Sequence, residues 1–176
     1  MPLPLFVLTG GPGSGKTTLL EALGAQGLCT SPETGRAILQ EQHALGGGPL
    51  DPTLFAERML ARDIEAYRRG LTCEGPVFFD RGIPDVIGYL RLMALPVPGH
   101  MEEAARILRY NRMVFIAPPW GAIFGQDAER AQTFGEAEAT HARMMEVYTE
   151  YGYGLVPLPL VPVEERVRFL LGCIRP

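Results

Sequence analysis

One run of eight residues near the start of the chain, residues 10–17 (GGPGSGKT), restricts the possible folds more than any other feature. It fits the spacing G-x-x-x-x-G-K-[ST], in which a glycine-rich backbone surrounds phosphate groups. The apolar run before it, residues 5–9, is suited to a buried parallel strand, and residues 18–23 after it contain good helix formers. Strand, loop and helix in this order aim backbone N–H groups and the positive helix end at a phosphate. We therefore expect a P-loop that binds a nucleotide.

Each residue type in this loop has an expected role. Glycine lets the backbone curl around anionic oxygens without a Cβ clash. Lys16 would reach the β- and γ-phosphates, and Thr17 would offer its hydroxyl to Mg²⁺. Lys16 is also the only lysine in the sequence. The predicted nucleotide contacts are Gly11, Pro12, Gly13, Ser14, Gly15, Lys16, Thr17 and Thr18. The alternative is a glycine-rich turn that binds nothing.

Length and composition narrow the class of protein. The 176 residues suit one domain spanning 1–176, and 47% hydrophobic with 20% charged residues is a globular composition. A net charge of −4 does not give the basic surface of a nucleic-acid or anionic-membrane binder. Three widely spaced cysteines without a C-x-x-C pair favour reduced thiols. We expect no signal peptide, no membrane span and a cytoplasmic protein.

Strand and helix patterns alternate along the whole chain. The predicted strands are residues 5–9, 28–30, 77–80, 113–117 and 155–158. The predicted helices are residues 18–23, 34–41 with Thr34 as N-cap, a long helix from Pro52 with Asp51 as cap and Leu54 in its apolar stripe, 84–95, 101–108, a helix through 144–148, and 163–174. This alternation predicts a three-layer α/β domain with a mainly parallel sheet. The polar segment near 120–140 is the predicted lid.

Ligands of such folds collect at the carboxyl ends of the strands. Glu33, Asp80 and the P-loop all follow predicted strands, so we expect them to converge on one crevice. Asp80 ends the run VFFD, which fits the Walker B pattern of an apolar strand followed by an acid that holds Mg²⁺ beside Thr17. The alternative is that Asp80 caps the next helix.

Five further side chains are candidates for the chemistry. Arg81 would neutralise phosphoryl charge or grip an anionic acceptor, or else form a structural salt bridge to Asp85. Glu33 would accept a hydrogen bond from an acceptor hydroxyl or act as general base, or else contribute charge at the start of a helix. Arg130, with Arg143 as a weaker candidate, would reach the phosphates from the lid, or else lie on a solvated helix face. Trp120 would pack at the base of the lid or stack on a nucleobase.

Four motifs in order carry a resemblance to a known family. They are residues 10–18, 32–36 (PETGR), 79–85 (FDRGIPD) and 127–134 (DAERAQTF). Together they resemble small ATPases labelled AAA-type ATP-binding domains, which look related to the kinase domain of ribosylnicotinamide kinases. The resemblance implies a nucleoside-kinase-like P-loop NTPase fold with a five-stranded parallel sheet in the order 2-3-1-4-5. The pair Asp80-Arg81 is also similar to the Asp/Glu-Arg pair of deoxynucleoside and thymidylate kinases. That likeness assigns Asp80 to Mg²⁺, Arg81 to the phosphates and Glu33 to the acceptor hydroxyl.

Two active functions fit these residues. The first is a kinase that transfers the γ-phosphoryl group of Mg·ATP to a hydroxyl of a small metabolite, with a nucleoside-like acceptor among the possibilities. The second is an ATP-dependent switch or slow NTPase that acts through a protein partner. A degenerate P-loop scaffold is the third hypothesis, and the intact Lys16, Thr17 and Asp80 argue against it.

Overall fold

The computed structural model describes residues 3–125 and 132–174. Its strands are β1 (Leu5–Gly10), β2 (Cys29–Ser31), β3 (Val77–Asp80), β4 (Met113–Ala117) and β5 (Gly154–Pro157). Its helices are α1 (Lys16–Ala25), α2 (Thr34–Ala44), α3 (Pro52–Gly70), α4 (Ile83–Leu92), α5 (Gly99–Ile107), α6 (Phe134–Glu150) and α7 (Val163–Ile174). Across these two described ranges, no helix combines the length and the apolar character that crossing a bilayer requires.

The five strands form one parallel sheet in the order β2-β3-β1-β4-β5. The predicted α/β class, parallel sheet and strand order are therefore confirmed. Strand β1 lies in the middle, and its Leu8 is in register with Asp80 of β3 on one side and Phe115 of β4 on the other. The chain leaves β1 between the two halves of the sheet, which is where ligands bind in folds of this type.

Alternating residues of the central strands enter two separate cores. Leu5 and Val7 face a core covered by α3, α4, α5 and α6, whereas Phe6 and Leu8 face a core covered by α1 and α7. Both faces of β1 are buried, which explains why its sequence is apolar throughout rather than alternating. The sheet is thereby held between two helical layers, as predicted.

Several predicted boundaries change by a few residues, and two predictions are wrong. The N-cap of α2 is Glu33 rather than Thr34, because the Thr34 hydroxyl instead donates a hydrogen bond to Asp63 at 2.8 Å. Leu54 is exposed rather than part of the apolar face of α3. The predicted start of α3 is confirmed, since Asp51 caps it by accepting hydrogen bonds from two backbone N–H groups.

Candidate functional site

The P-loop runs from the end of β1 to the start of α1 with a backbone that only glycine fits at two positions. Gly15 has φ 80° in the left-handed region, where other residues are strained. A Cβ on Gly11 would lie 2.3 Å from the carbonyl oxygen of Ala137, so α6 packs directly against the loop. The loop therefore takes its shape both from its own glycines and from the helix that lies on it.

The side chain of Lys16 is folded into this loop rather than extended into solvent. Its ammonium group donates a hydrogen bond to the carbonyl oxygen of Gly11 at 2.8 Å, and the Ser14 hydroxyl donates to the same oxygen at 2.9 Å. Lys16 is 6% exposed. Burial and the nearby Arg81 lower its pKa to about 8, against the opposite effect of Asp80 and other carboxylates. Lys16 thus brings a poorly solvated charge to the position where the motif expects phosphate.

Thr17 and Asp80 come together as the Walker B pattern requires. The Thr17 hydroxyl donates to Asp80 Oδ2 at 3.4 Å. Two neighbouring ligands of an octahedral Mg²⁺ lie about 3 Å apart, since each is 2.0–2.1 Å from the ion. Asp80 Oδ1 is buried and has no hydrogen-bond partner. Burial raises the pKa of Asp80, while Lys16 opposes the shift. An unsatisfied carboxylate oxygen beside a hydroxyl fits a hard cation that prefers oxygen ligands.

Two further observations bear on this metal assignment. Within the part of the chain that the structure describes, no three His, Cys, Asp or Glu side chains cluster as a metal site. An ion held by Thr17 and Asp80 would therefore take its remaining ligands from phosphates and water, as Mg²⁺ commonly does. The alternative that Asp80 caps the next helix is wrong, because the N-cap of α4 is Gly82 and its N–H group donates to Asp85.

Arg81 connects the P-loop to the carboxylates around it. Its Nε donates to Glu33 Oε1 at 3.1 Å, and its Nη1 donates to the Gly10 carbonyl oxygen at 2.9 Å and to Asp85 Oδ1 at 3.2 Å. The predicted salt bridge to Asp85 is confirmed. Its backbone has φ 71°, which is uncommon for a residue with a side chain. Burial lowers the pKa of Arg81, but Glu33 and Asp85 raise it further, so the net shift is upward.

Asp85 is a buried carboxylate that holds several elements together. Besides Arg81, it accepts hydrogen bonds from the Thr9 hydroxyl at 2.6 Å, the Gly82 N–H at 3.0 Å and the Tyr148 hydroxyl at 2.6 Å. These donors come from β1, the loop after β3 and α6. Sequence reasoning named Asp85 only as a partner of Arg81, and it missed Thr9 and Tyr148. The pattern of α6 makes Tyr148 one more apolar-face residue, so nothing local marked it.

Glu33 lies at the start of α2 and faces Arg81. Its side chain makes no capping hydrogen bond, so it does not act as a side-chain cap for that helix. Burial raises the pKa of Glu33, but Arg81 and Lys16 lower it more, so the net shift is downward. The carboxylate is therefore ionised at neutral pH. The Arg81 side chain links it to the P-loop, since Arg81 donates hydrogen bonds to both Glu33 and the Gly10 carbonyl oxygen. An ionised carboxylate can accept the hydrogen bond of a substrate hydroxyl and orient it.

A wall of apolar and aromatic side chains, formed by Met59, Phe55 and Tyr89, lies beside Glu33. The α-carbon of Gly35 faces Met59 and Phe55, and the Phe55 ring meets Tyr89 edge-on at 5.3 Å between centroids. This wall therefore offers aromatic surface to a ligand near Glu33.

Asp63 of α3 is a second buried acid near this wall, and sequence reasoning missed it. It accepts the hydrogen bond of Thr34 and is 8% exposed, and burial raises its pKa to about 7. Its position was readable from the sequence, because Ala56, Leu60, Asp63 and Tyr67 follow helical spacing on one face.

Arg166 of α7 is a further residue that sequence reasoning missed. Its Nη1 donates to the Ser14 carbonyl oxygen at 2.7 Å and its Nε to the Pro159 carbonyl oxygen at 2.8 Å. The guanidinium lies 4.9 Å from the centre of the Trp120 ring. Trp120 therefore packs against Arg166, and its place at the base of the lid stays a prediction. Burial lowers the pKa of Arg166.

The lid candidates have different outcomes. Arg130 and residues 126–131 around it lie outside the described residues. Arg143 forms an ion pair with Glu146 at 2.6 Å, one turn along the same helix. The remaining predicted contacts Pro12, Gly13 and Thr18 lie in the loop or on the first turn of α1. The structure thus brings Lys16, Thr17, Asp80, Arg81 and Glu33 to one crevice at the carboxyl ends of β1, β2 and β3.

Comparison with known proteins gives a family and a fold. The family model AAA_28, described as an AAA domain, matches residues 5–166. Comparison with curated proteins gives no match. Among solved structures, the chain is similar to the NadR protein in complex with NR, with 20% identity and a TM-score of 0.72. The match covers 97% of this chain and 50% of the NadR chain, so this chain spans half of the NadR length.

Two kinases are also similar over nearly their whole lengths. Deoxyadenosine kinase from M. mycoides has 14% identity and a TM-score of 0.69, covering 97% of this chain and 98% of that one. Thymidylate kinase from Candida albicans has 12% identity and a TM-score of 0.67, covering 98% and 91%. At such identities the likeness shows the fold, and it confirms the nucleoside-kinase-like P-loop architecture that the motifs predict.

Proposed function

Because the chain belongs to the AAA domain family, and because its P-loop adjoins an ionised carboxylate, we propose that it is a kinase that transfers the γ-phosphoryl group of Mg·ATP to a hydroxyl of a small metabolite. The observation that carries this proposal is the position of Arg81, which donates to both the Gly10 carbonyl oxygen and Glu33. It joins a phosphate-binding loop to a group that can orient a hydroxyl. A nucleotide switch has no need for that second group.

On the nucleotide side, the loop N–H groups and Lys16 would bind the β- and γ-phosphates. Thr17 and the unpartnered oxygen of Asp80 would hold Mg²⁺. When bound, Mg²⁺ neutralises charge on the phosphate oxygens. Arg81, whose guanidinium is held by Glu33, Asp85 and the Gly10 carbonyl oxygen, would add a fixed positive charge beside the transferred group. The chain would thus contribute positioning and charge rather than a covalent intermediate.

On the acceptor side, Glu33 would accept the hydrogen bond of the attacking hydroxyl and take its proton as the new P–O bond forms and the bond to ADP breaks. Arg81 is already paired with two carboxylates, so an uncharged acceptor suits this side better than a phosphorylated one. The aromatic wall of Phe55 and Tyr89 would contact a flat ring. The similarity to deoxyadenosine kinase, whose name gives a nucleoside acceptor, supports a nucleoside-like acceptor here.

The segment near 120–140 would form a lid over the nucleotide, with Arg130 contacting the phosphates. A capping box at Thr133 and Glu136 begins α6 within this segment. We propose that this helix, which packs on Gly11, anchors the lid at its carboxyl end.

The test is acceptor-dependent turnover by the full chain. ADP release from Mg·ATP is measured with and without each member of a panel of nucleosides and other hydroxylated metabolites, and products are identified by the added phosphoryl mass. At least one acceptor should raise ADP release above the acceptor-free rate. Glu33→Gln should lower that increment about tenfold or more, whereas Glu21→Gln, on the exposed face of α1, should not. ATP binding without any acceptor effect would favour the switch or slow NTPase instead.

A further inference from the structure

Arg166 is a buried cation with no anion beside it among the described residues. It is 2% exposed, and its two described hydrogen bonds go to the carbonyl oxygens of Ser14 and Pro159, which carry no net charge. Its third nitrogen, Nη2, is buried and has no hydrogen-bond partner in the described part of the chain. Among residues 3–125 and 132–174, no carboxylate forms an ion pair with it. Taking a guanidinium out of water without a counter-charge is unfavourable.

The position of this charge indicates what would compensate it. Ser14 belongs to the P-loop, and a Cβ on the adjacent Gly15 would lie 2.9 Å from Arg166 Nη1. The guanidinium is thus packed against the outer side of the loop whose inner side would receive phosphate. In a poorly solvated region, charges interact across several ångströms. A bound triphosphate is therefore the group whose negative charge would offset Arg166.

We infer that Arg166 is a positioning residue of the P-loop: it holds the Ser14 carbonyl outward, so that the loop N–H groups turn inward, and it favours the most highly charged nucleotide. This inference rests on the proposed nucleotide binding and goes beyond it, because α7 is distant in sequence from every motif of the chain. Ser14 and Arg166 are separated by 152 positions.

The same guanidinium gives the inference an optical readout. It lies 4.9 Å from the ring centre of Trp120, which is the only tryptophan in the sequence. Indole emission responds to nearby charge, and a cation over its face is a specific contact. Phosphate binding at the loop would change the field on Arg166, so it should also change the emission of Trp120.

The experiment uses the full chain and two probes, Mg·ATP and Mg·tripolyphosphate, the second of which has no base. Affinities are measured by calorimetry for the parent, Arg166→Met, Arg166→Lys and Arg168→Met, a control on the exposed face of the same helix. Arg166→Met should bind both probes at least tenfold more weakly, and Arg166→Lys should recover part of that loss. Arg168→Met should stay within twofold of the parent. A parallel titration of each variant with Mg·ADP should show a smaller loss of affinity than the titration with Mg·ATP, because the loss arises from charge. If Arg166 had a merely structural role, its substitution would lower the unfolding temperature and leave the ratio of the ATP affinity to the ADP affinity unchanged.

Failure of this inference is distinct from failure of the proposed function. If the parent binds neither probe, nucleotide binding itself is wrong. If the parent binds them and Arg166→Met binds both within twofold, Arg166 has no positioning role. Should Arg166→Met not fold, Arg166→Lys and the parent decide: a saturable change of Trp120 emission with Mg·tripolyphosphate supports the inference. A parent that binds the probe in the calorimeter without any change in emission overturns it.

Discussion

The phosphate side of the crevice, which is the P-loop with Asp80, is built differently from its acceptor side, which is Glu33, Arg81, Asp85 and Asp63. The phosphate side comes from one continuous stretch of backbone and the end of the neighbouring strand β3. The acceptor side is assembled from side chains of α2, α3, α4 and the loop after β3, and it is tied to β1 and α6 by hydrogen bonds.

The two sides also differ in how far their polar groups are satisfied. Among residues 3–125 and 132–174, Lys16 donates hydrogen bonds only to neutral oxygens of its own loop, and Asp80 Oδ1 has no hydrogen-bond partner. In contrast, Arg81 donates to three oxygens and Asp85 accepts four hydrogen bonds. The phosphate side is therefore arranged for a ligand, at a cost to stability, whereas the acceptor side contributes to the fold. Variants of the first should lose function without losing stability, and variants of the second should lose both.

Lys16→Ala should have the largest effect. It removes the charge that would contact the phosphates, so phosphoryl transfer should fall on the order of a hundredfold to a thousandfold. Stability without nucleotide should stay level or rise, because a buried cation is lost and Ser14 still donates to the Gly11 carbonyl. Turnover and thermal unfolding, with and without Mg·ATP, measure both quantities. A variant that loses activity only because it unfolds would contradict the contrast between the two sides.

Asp80→Asn should follow, with a loss of about tenfold to a hundredfold and a higher Mg²⁺ requirement. The neutral amide keeps an oxygen beside Thr17 and removes a buried negative charge. Burial already disfavours that charge, since it raises the pKa of the Asp80 carboxyl group. The free energy of unfolding should therefore rise by about 1 kcal/mol in the absence of ligand. A Mg²⁺ titration of activity and urea unfolding test the two statements together. An unchanged Mg²⁺ dependence would remove Asp80 from the metal site.

Arg81→Lys should reduce transfer about tenfold and, unlike the previous two variants, should also destabilise the fold by about 1–2 kcal/mol. Lysine keeps the charge but cannot reach Glu33, Asp85 and the Gly10 carbonyl at once. The KM for the acceptor should rise more than the KM for ATP, because the Glu33 contact is lost. Steady-state kinetics with each substrate varied separately measures the two constants. A rise in the KM for ATP alone would contradict this expectation and place Arg81 on the phosphate side.

The phosphate side could be predicted from the sequence because its determinants are local. Strand β1, the glycine loop and α1 follow each other directly, and each has a short-range pattern of its own. Strands β3 and β4 were predicted at their observed bounds for the same reason, since both are short apolar runs with breakers around them. The convergence of Glu33 and Asp80 could be predicted because a parallel sheet places the carboxyl ends of all its strands at the same edge.

The acceptor side could be predicted only in part, because its contacts join residues far apart in the chain. Tyr148 and Asp85 are separated by 63 positions, and no pattern in either helix pairs them. Arg166 and Asp63 are marked by a sequence pattern, since each is a polar residue on the apolar face of an amphipathic helix. That pattern predicts that the side chain is buried, but it does not identify its hydrogen-bond partner. Physical pairing of this kind depends on how the helices pack, which the sequence pattern does not specify.

Asp63 differs from the other acceptor-side residues, because its buried carboxyl group destabilises the fold at neutral pH instead of stabilising it. Burial raises its pKa to about 7, from an ordinary value of 3.8. In the unfolded chain it loses its proton above about pH 4, whereas in the fold it keeps the proton to near neutrality. Between these values the folded state binds more protons, so this group lowers the free energy of unfolding as pH rises from about 4 to about 7. Above pH 7 Asp63 is ionised in both states, and the full destabilisation from its buried charge remains.

Asp63→Asn removes that penalty, and its side-chain oxygen can still accept the Thr34 hydrogen bond. The free energy of unfolding of the variant should exceed that of the parent by about 1–3 kcal/mol at pH 8. Because the penalty grows with pH, the difference should widen between pH 5 and pH 7 and then level off. Urea unfolding across this range measures it, with Asp51→Asn, at the exposed start of the same helix, as a control whose difference from the parent should not widen. A difference that narrows as pH rises would show that Asp63 is stabilised in its charged form, and the acceptor side would then contain no group working against the fold.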